Sequence, residues 1–185
     1  ASLKTIRQWN HLLVVPVYLI IGLFDGAIFL MVLLTIIDGL QFFQLNYFII
    51  FLGAVAGLAK ILYWWSIDST QSQSNTSTAT GLGSSNKSVS MLDAPTTSET
   101  FIMREMGFAI ARKHSRRLRL ITILTLSIIP IIIIFLMTQP IALVSPMVLG
   151  IIAILFSYFG TIIERWLFFA EAKHVAMLYY GASKV

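Results

Sequence analysis

The sequence predicts an all-α membrane protein, and three observations carry that prediction. Hydrophobic residues fill 57% of the 185 positions and charged residues only 11%, a balance seen in integral membrane proteins and rarely in soluble domains. Four stretches are apolar over about 20 residues or more, enough to cross a hydrocarbon core of roughly 30 Å. The polar residues are gathered into one long loop and the chain ends. Transmembrane helices are therefore expected at 14–37, 43–67, 118–138 and 142–170. The chain divides into a helical hairpin over 1–67, a polar loop with a basic amphipathic helix over 68–117, and a second hairpin with a charged tail over 118–185.

Composition also removes several kinds of chemistry. There is no cysteine, so disulfides, thiolate ligation of iron–sulfur clusters and thiol catalysis are excluded from this chain. None of the three histidines falls inside a span, which argues against a haem held between helices by two histidines; no metal site is expected. The net charge of +5 is not a nucleic-acid signal, because most of it lies in one loop beside the membrane, where lipid headgroups are the natural partner. The first residue is Ala, and nothing before the first span resembles a signal peptide with a cleavage site. A processed or partial chain is expected on that ground.

Orientation follows from Lys and Arg. Lys4 and Arg7 precede the first span, and Lys87, Arg104, Arg112, Lys113, Arg116, Arg117 and Arg119 lie between the second and third. The short loops 38–41 and 139–141 carry neither residue. The termini and the long loop are thus expected on the cytoplasmic side, with Trp9, Trp64, Trp65 and Trp166 as interfacial anchors.

Span one contains Gly22 and Gly26, and span two contains Gly53 and Gly57. Both are small-xxx-small patterns that let helix backbones approach closely in lipid, so the two spans are expected to pack as an antiparallel hairpin. Asp25, at the middle of span one, is at the costliest depth for a carboxylate. In such a hairpin Lys60 would sit about 7–8 Å nearer the cytoplasmic face, within reach for a long stem. Such a pair reads as a proton relay or ion site; the structural alternative is a charge pair, or a protonated Asp, holding the bundle together.

Pro130 is expected to kink span three, since it removes a backbone hydrogen bond, and the isoleucines 128–134 read as lipid-facing bulk. The loop from Asp68 to about Ala94 has the Ser, Thr, Asn, Gln and Gly content of a flexible linker. From Glu99 the pattern turns helical. Phe101, Phe108 and Ile110 supply apolar anchors, and Arg112, Arg116 and Arg119 share a face. This describes an amphipathic interfacial helix, serving either as an anchor on lipid phosphates or as a docking or quinol-facing element.

The last span exits into two acids, two bases and a histidine interleaved with three aromatics: Glu164-Arg165-Trp166-Leu167-Phe168-Phe169-Ala170-Glu171-Ala172-Lys173-His174. Glu164, Glu171 and His174 line one stripe, with Arg165 and Lys173 on the next. An acid–histidine stripe at a membrane surface suits taking protons from a hydroquinone, because histidine titrates near neutral pH and a partly buried Glu is raised toward it. The alternative is a helix end whose charges pair with Arg112–Arg119.

Three blocks also carry a family resemblance. They are Thr78-Ala79-Thr80-Gly81-Leu82-Gly83; Arg104-Glu105-Met106-Gly107-Phe108 through Arg112-Lys113-His114; and the exit from Glu164 to His174, followed by Leu178-Tyr179-Tyr180-Gly181. In order and spacing they resemble the membrane-anchor subunits of dimethyl sulfoxide reductase. The resemblance covers almost all of this chain and the C-terminal half of that family's usual eight-helix bundle. It implies a subunit that oxidises a quinol (menaquinol or ubiquinol) and passes the electrons to an iron–sulfur partner subunit. That partner in turn feeds a molybdopterin catalytic subunit in a prokaryotic cytoplasmic membrane. It implies no haem in this chain. Under this reading Glu164, Glu171 and His174 accept protons, while Arg104, Glu105, Arg112, His114 and Arg165 orient the quinone oxygen or the partner. Two other functions remain open on the residues: a purely structural anchor, and a small proton-coupled transporter built on Asp25 and Lys60.

Overall fold

The computed structural model describes residues 6, 8–38, 43–69, 81, 89, 113–139 and 144–172. All regular structure among them is helical, in four helices each long and apolar enough to cross a membrane. The chain is thus a multi-pass membrane protein. Helix α1 spans Val14–Asp38 and α2 spans Phe43–Ser69. Helix α3 runs over Ser115–Met137 and α4 over Pro146–Ala170. Residues 98–112, where most of the amphipathic helix is expected, lie outside the described residues, as do the glycine turn at 78–83 apart from Gly81 and the tail beyond 172.

Local chemistry sets the helix starts. Pro16 sits in the first turn of α1, where a missing N–H is harmless, and His11 Nδ1 accepts a hydrogen bond from the Leu13 N–H at 3.2 Å. Ser145 caps α4 by accepting from the Val148 N–H at 3.4 Å, and Pro146 follows at the first helical position. The expected span 142–170 therefore begins as helix only at Pro146.

The four helices form a ring in which α1 packs on α2 and α4, and α3 packs on α2 and α4. The starts of α1 and α3 meet the ends of α2 and α4. His11 lies 3.0 Å from Ser66 Oγ, the Trp9 indole donates to the Phe168 carbonyl at 3.2 Å, and Arg119 reaches Asp68 and Glu171. We call this the basic end, because Lys113, Arg116 and Arg117 are exposed there. Leu19, Phe51, Leu155 and Ile162 are among the apolar side chains that point outward as lipid would require.

Two expectations are corrected here, and a third is given its local geometry. Gly22 and Gly26 do not mediate helix packing: both are exposed, and a Cβ on either would meet nothing within 4 Å. The close approaches belong to other glycines. Gly53 faces Phe24 and Ile131, Gly57 faces Ser127, and Gly160 lies against the backbone of Leu126, whose Cα is 2.6 Å from the position of an added Cβ. Second, Pro130 is accommodated by a π turn over Leu124–Ile128, in which the Ile129 N–H reaches the Leu124 carbonyl five residues back. The wider turn relieves the clash between the proline ring and the preceding carbonyls, and Ser127 in that turn donates to the Gly53 carbonyl at 2.8 Å. Third, the isoleucine run is only partly lipid-facing, since Pro130 and Ile134 are buried while Ile132 is exposed.

These placements predict opposite signs for two Gly→Ala changes. Gly160→Ala drives a methyl into the α3 backbone and should cost about 1–3 kcal/mol. Gly22→Ala should leave stability unchanged or raise it slightly, through better helix propensity. Thermal unfolding of the detergent-solubilised chain checks both, and equal tolerance would remove the α3–α4 contact as described.

A buried charged seam as candidate functional site

Asp25 of α1, Lys60 of α2 and Arg119 of α3 converge on the inner face of α4. Ser157, Thr161, Glu164, Phe168 and Glu171 follow one another at intervals of three or four, so they stack on one side of the helix. At 1.5 Å per residue the stripe is roughly 21 Å long. It runs from mid-membrane to the basic end.

Glu164 is fully buried, and Lys60 Nζ donates to its Oε1. Lys60 comes from α2, which faces α4 across the centre of the ring, so the pair spans the interior through the length of the lysine stem. Around the ammonium stand Tyr63, Trp64 and Phe168, with ring centroids at 4.3, 4.9 and 5.8 Å. Negative ring faces are suited to holding a desolvated cation. Beside this pair, Arg165 lies over Tyr18, its Cζ 3.2 Å from the ring centroid, and its Nε is 3.1 Å from Glu164 Oε2 without hydrogen-bond alignment. Two buried atoms here lack a hydrogen-bond partner, Glu164 Oε2 and Arg165 Nη1. One accepts, the other donates, and they belong to adjacent residues.

Toward mid-membrane, Asp25 of α1 accepts from Ser157 Oγ on one carboxylate oxygen and from Thr161 Oγ1 at 2.8 Å on the other. Toward the basic end, Arg119 of α3 holds Glu171 as a fork, Nε to Oε1 at 2.8 Å and Nη2 to Oε2 at 3.1 Å. The same guanidinium binds Asp68 at the end of α2. Burial pushes the Glu171 carboxyl above the usual carboxylate range, against the pull of the Arg119 fork.

The structure thus brings Glu164, Arg165 and Glu171 into one seam but does not bring His114 to it. His114 is exposed at the start of α3, where its side chain makes no cap. Arg104, Glu105, Arg112, Lys173 and His174 lie outside the described residues. The expected Asp25–Lys60 pair is replaced by two separate contacts: Lys60 turns to Glu164, and Asp25 turns to the α4 hydroxyls. Sequence reasoning missed Tyr18, Ser157 and Thr161. The signal that could have found the last two is the run of small polar residues in register with Glu164 and Glu171.

Comparison with protein-family models, curated proteins and solved structures returns no match to this chain. The likeness to the reductase anchors therefore rests on the quoted motifs.

Breaking a buried pair strands a charge, whereas replacing both partners does not. Lys60→Met and Glu164→Leu should each cost about 3–5 kcal/mol, and the double variant should recover most of that loss. A double-mutant cycle by thermal unfolding reads this directly; additive losses would mean that the two side chains do not face each other.

Proposed function

We propose that the chain is a membrane-anchor, quinol-oxidising subunit of a respiratory molybdopterin oxidoreductase in a prokaryotic cytoplasmic membrane. It would pass electrons from quinol to an iron–sulfur partner subunit. One observation carries the site assignment: the unpartnered acceptor and donor at Glu164 Oε2 and Arg165 Nη1. A quinol hydroxyl matches both, because its hydrogen donates to the carboxylate while its oxygen accepts from the guanidinium. Both atoms are buried, and the Arg165 side chain, 26% exposed beside half-buried Tyr18, covers them at the α1–α4 edge, so a quinol entering from the bilayer must displace it. Glu164 is free to act as base on Oε2 because Lys60 occupies Oε1. Two-electron oxidation of the quinol releases two protons to acceptors in the seam and two electrons to the iron–sulfur partner. Glu171, two turns along α4, is the next carboxylate on the way to the surface.

A purely structural anchor is the second reading, favoured by the way Arg119 ties the ends of α2 and α4 to the start of α3. Steady-state quinol oxidation by the intact complex, normalised to molybdenum, separates the two. Glu164→Gln should lower kcat by about 10²–10⁴, the usual contribution of a general base, with iron and molybdenum retained. Arg165→Lys, which keeps the charge and loses the fork, should raise KM. Unchanged turnover in both variants, with full metal content, would leave the structural anchor.

A further inference from the structure

Asp25 stands apart from the other carboxylates of the seam. Glu164, Glu171 and Asp68 each contact a Lys or Arg, whereas Asp25 has no cation at ion-pair distance among the described residues. It is 6% exposed at the middle of α1, and its two partners are hydroxyls. An uncompensated charge at that depth is expensive, and a buried acid escapes the expense by binding a proton.

We propose that Asp25, Ser157 and Thr161 form a mid-membrane proton-binding site. With the carboxylate ionised, each hydroxyl donates to one carboxylate oxygen, as the structure shows. When a proton adds to Oδ2, that O–H donates to Thr161 Oγ1. The threonine hydrogen then turns away about the Cβ–Oγ1 bond, so the 2.8 Å contact serves either direction of donation. No heavy atom moves, so both protonation states fit one backbone.

The neighbours limit what else could set the charge. From α4 the site is faced by Glu164 and by Arg165, which stacks one turn beyond Thr161. From α2 it is faced by Lys60, already held by Glu164. The buried polar residues of α3, Thr122, Thr125 and Ser127, are uncharged, and α1 contributes the Tyr18 hydroxyl. Arg165 is the cation one turn beyond Thr161, and its ion-pair contact is with Glu164. The site stands on its own geometry, whether or not the chain oxidises a quinol.

Infrared spectroscopy of the full-length chain in lipid nanodiscs tests it. The expected result is a carboxylic C=O band that moves in heavy water, is lost in Asp25→Asn, and shifts in Thr161→Val. Asn has the shape and hydrogen-bonding capacity of the protonated acid, so Asp25→Asn should keep the wild-type Tm, whereas Asp25→Leu should lower it. A spectrum in which Asp25→Asn removes only a carboxylate band would overturn the proposal. So would a Tm that rises with Na⁺ in the wild type and not in Asp25→Asn, which would make the ligand a metal cation.

Discussion

The Lys60–Glu164 contact is the interaction on which the rest of the structure depends. It joins α2 to α4 across the centre of the ring, where Tyr63 of α2 and Phe168 of α4 also meet. Two charges so far from water are tolerated only when paired and hydrogen-bonded, so the pair dictates how α2 and α4 are rotated about their axes. Once α4 is turned to present Glu164 inward, Ser157, Thr161 and Glu171 follow on the same face. Gly160 then meets the Leu126 backbone at the π turn of α3. Hydrophobic burial cannot supply this specificity, because lipid is as apolar as the bundle interior.

The seam grades from dry to wet. Among the described residues Asp25 is hydrogen-bonded to two hydroxyls, Glu164 is in ion-pair contact with one lysine and one arginine, and Glu171 with an arginine shared with the exposed Asp68. Compensation is thus least at mid-membrane and most at the basic end. Such an order suits proton movement along α4 between the bundle interior and the surface. It also explains why Arg165 lies on Tyr18: the ring stabilises a guanidinium that is only partly balanced by Glu164. The quinol reading and the proton site use different atoms of this one seam.

The four spans were legible from hydropathy because a helix in lipid must be apolar for about 20 residues. The expected 14–37 and 43–67 meet helices at Val14–Asp38 and Phe43–Ser69. What hydropathy cannot carry is rotation about the helix axis, since nearly every face of α1 is apolar. That is why the glycine pattern alone points Gly22 and Gly26 at an interface they do not form, and why spacing alone pairs Lys60 with Asp25 instead of Glu164. The spacing of Glu164 and Glu171 was legible because seven residues make two helical turns and set both carboxylates on one stripe. The hydroxyls of Ser157 and Thr161 escaped notice because each alone is unremarkable in a membrane helix.

The most direct test is a through-space ¹⁵N–¹³C contact in solid-state NMR of the full-length chain in bilayers, with lysine Nζ and the side-chain carboxyls labelled. The account predicts a close contact between Lys60 Nζ and Glu164 Cδ, lost in Glu164→Gln labelled the same way. A Lys60 Nζ that contacts Asp25, or no carboxyl at all, would contradict the arrangement of the seam and with it the placement of every residue stacked along α4.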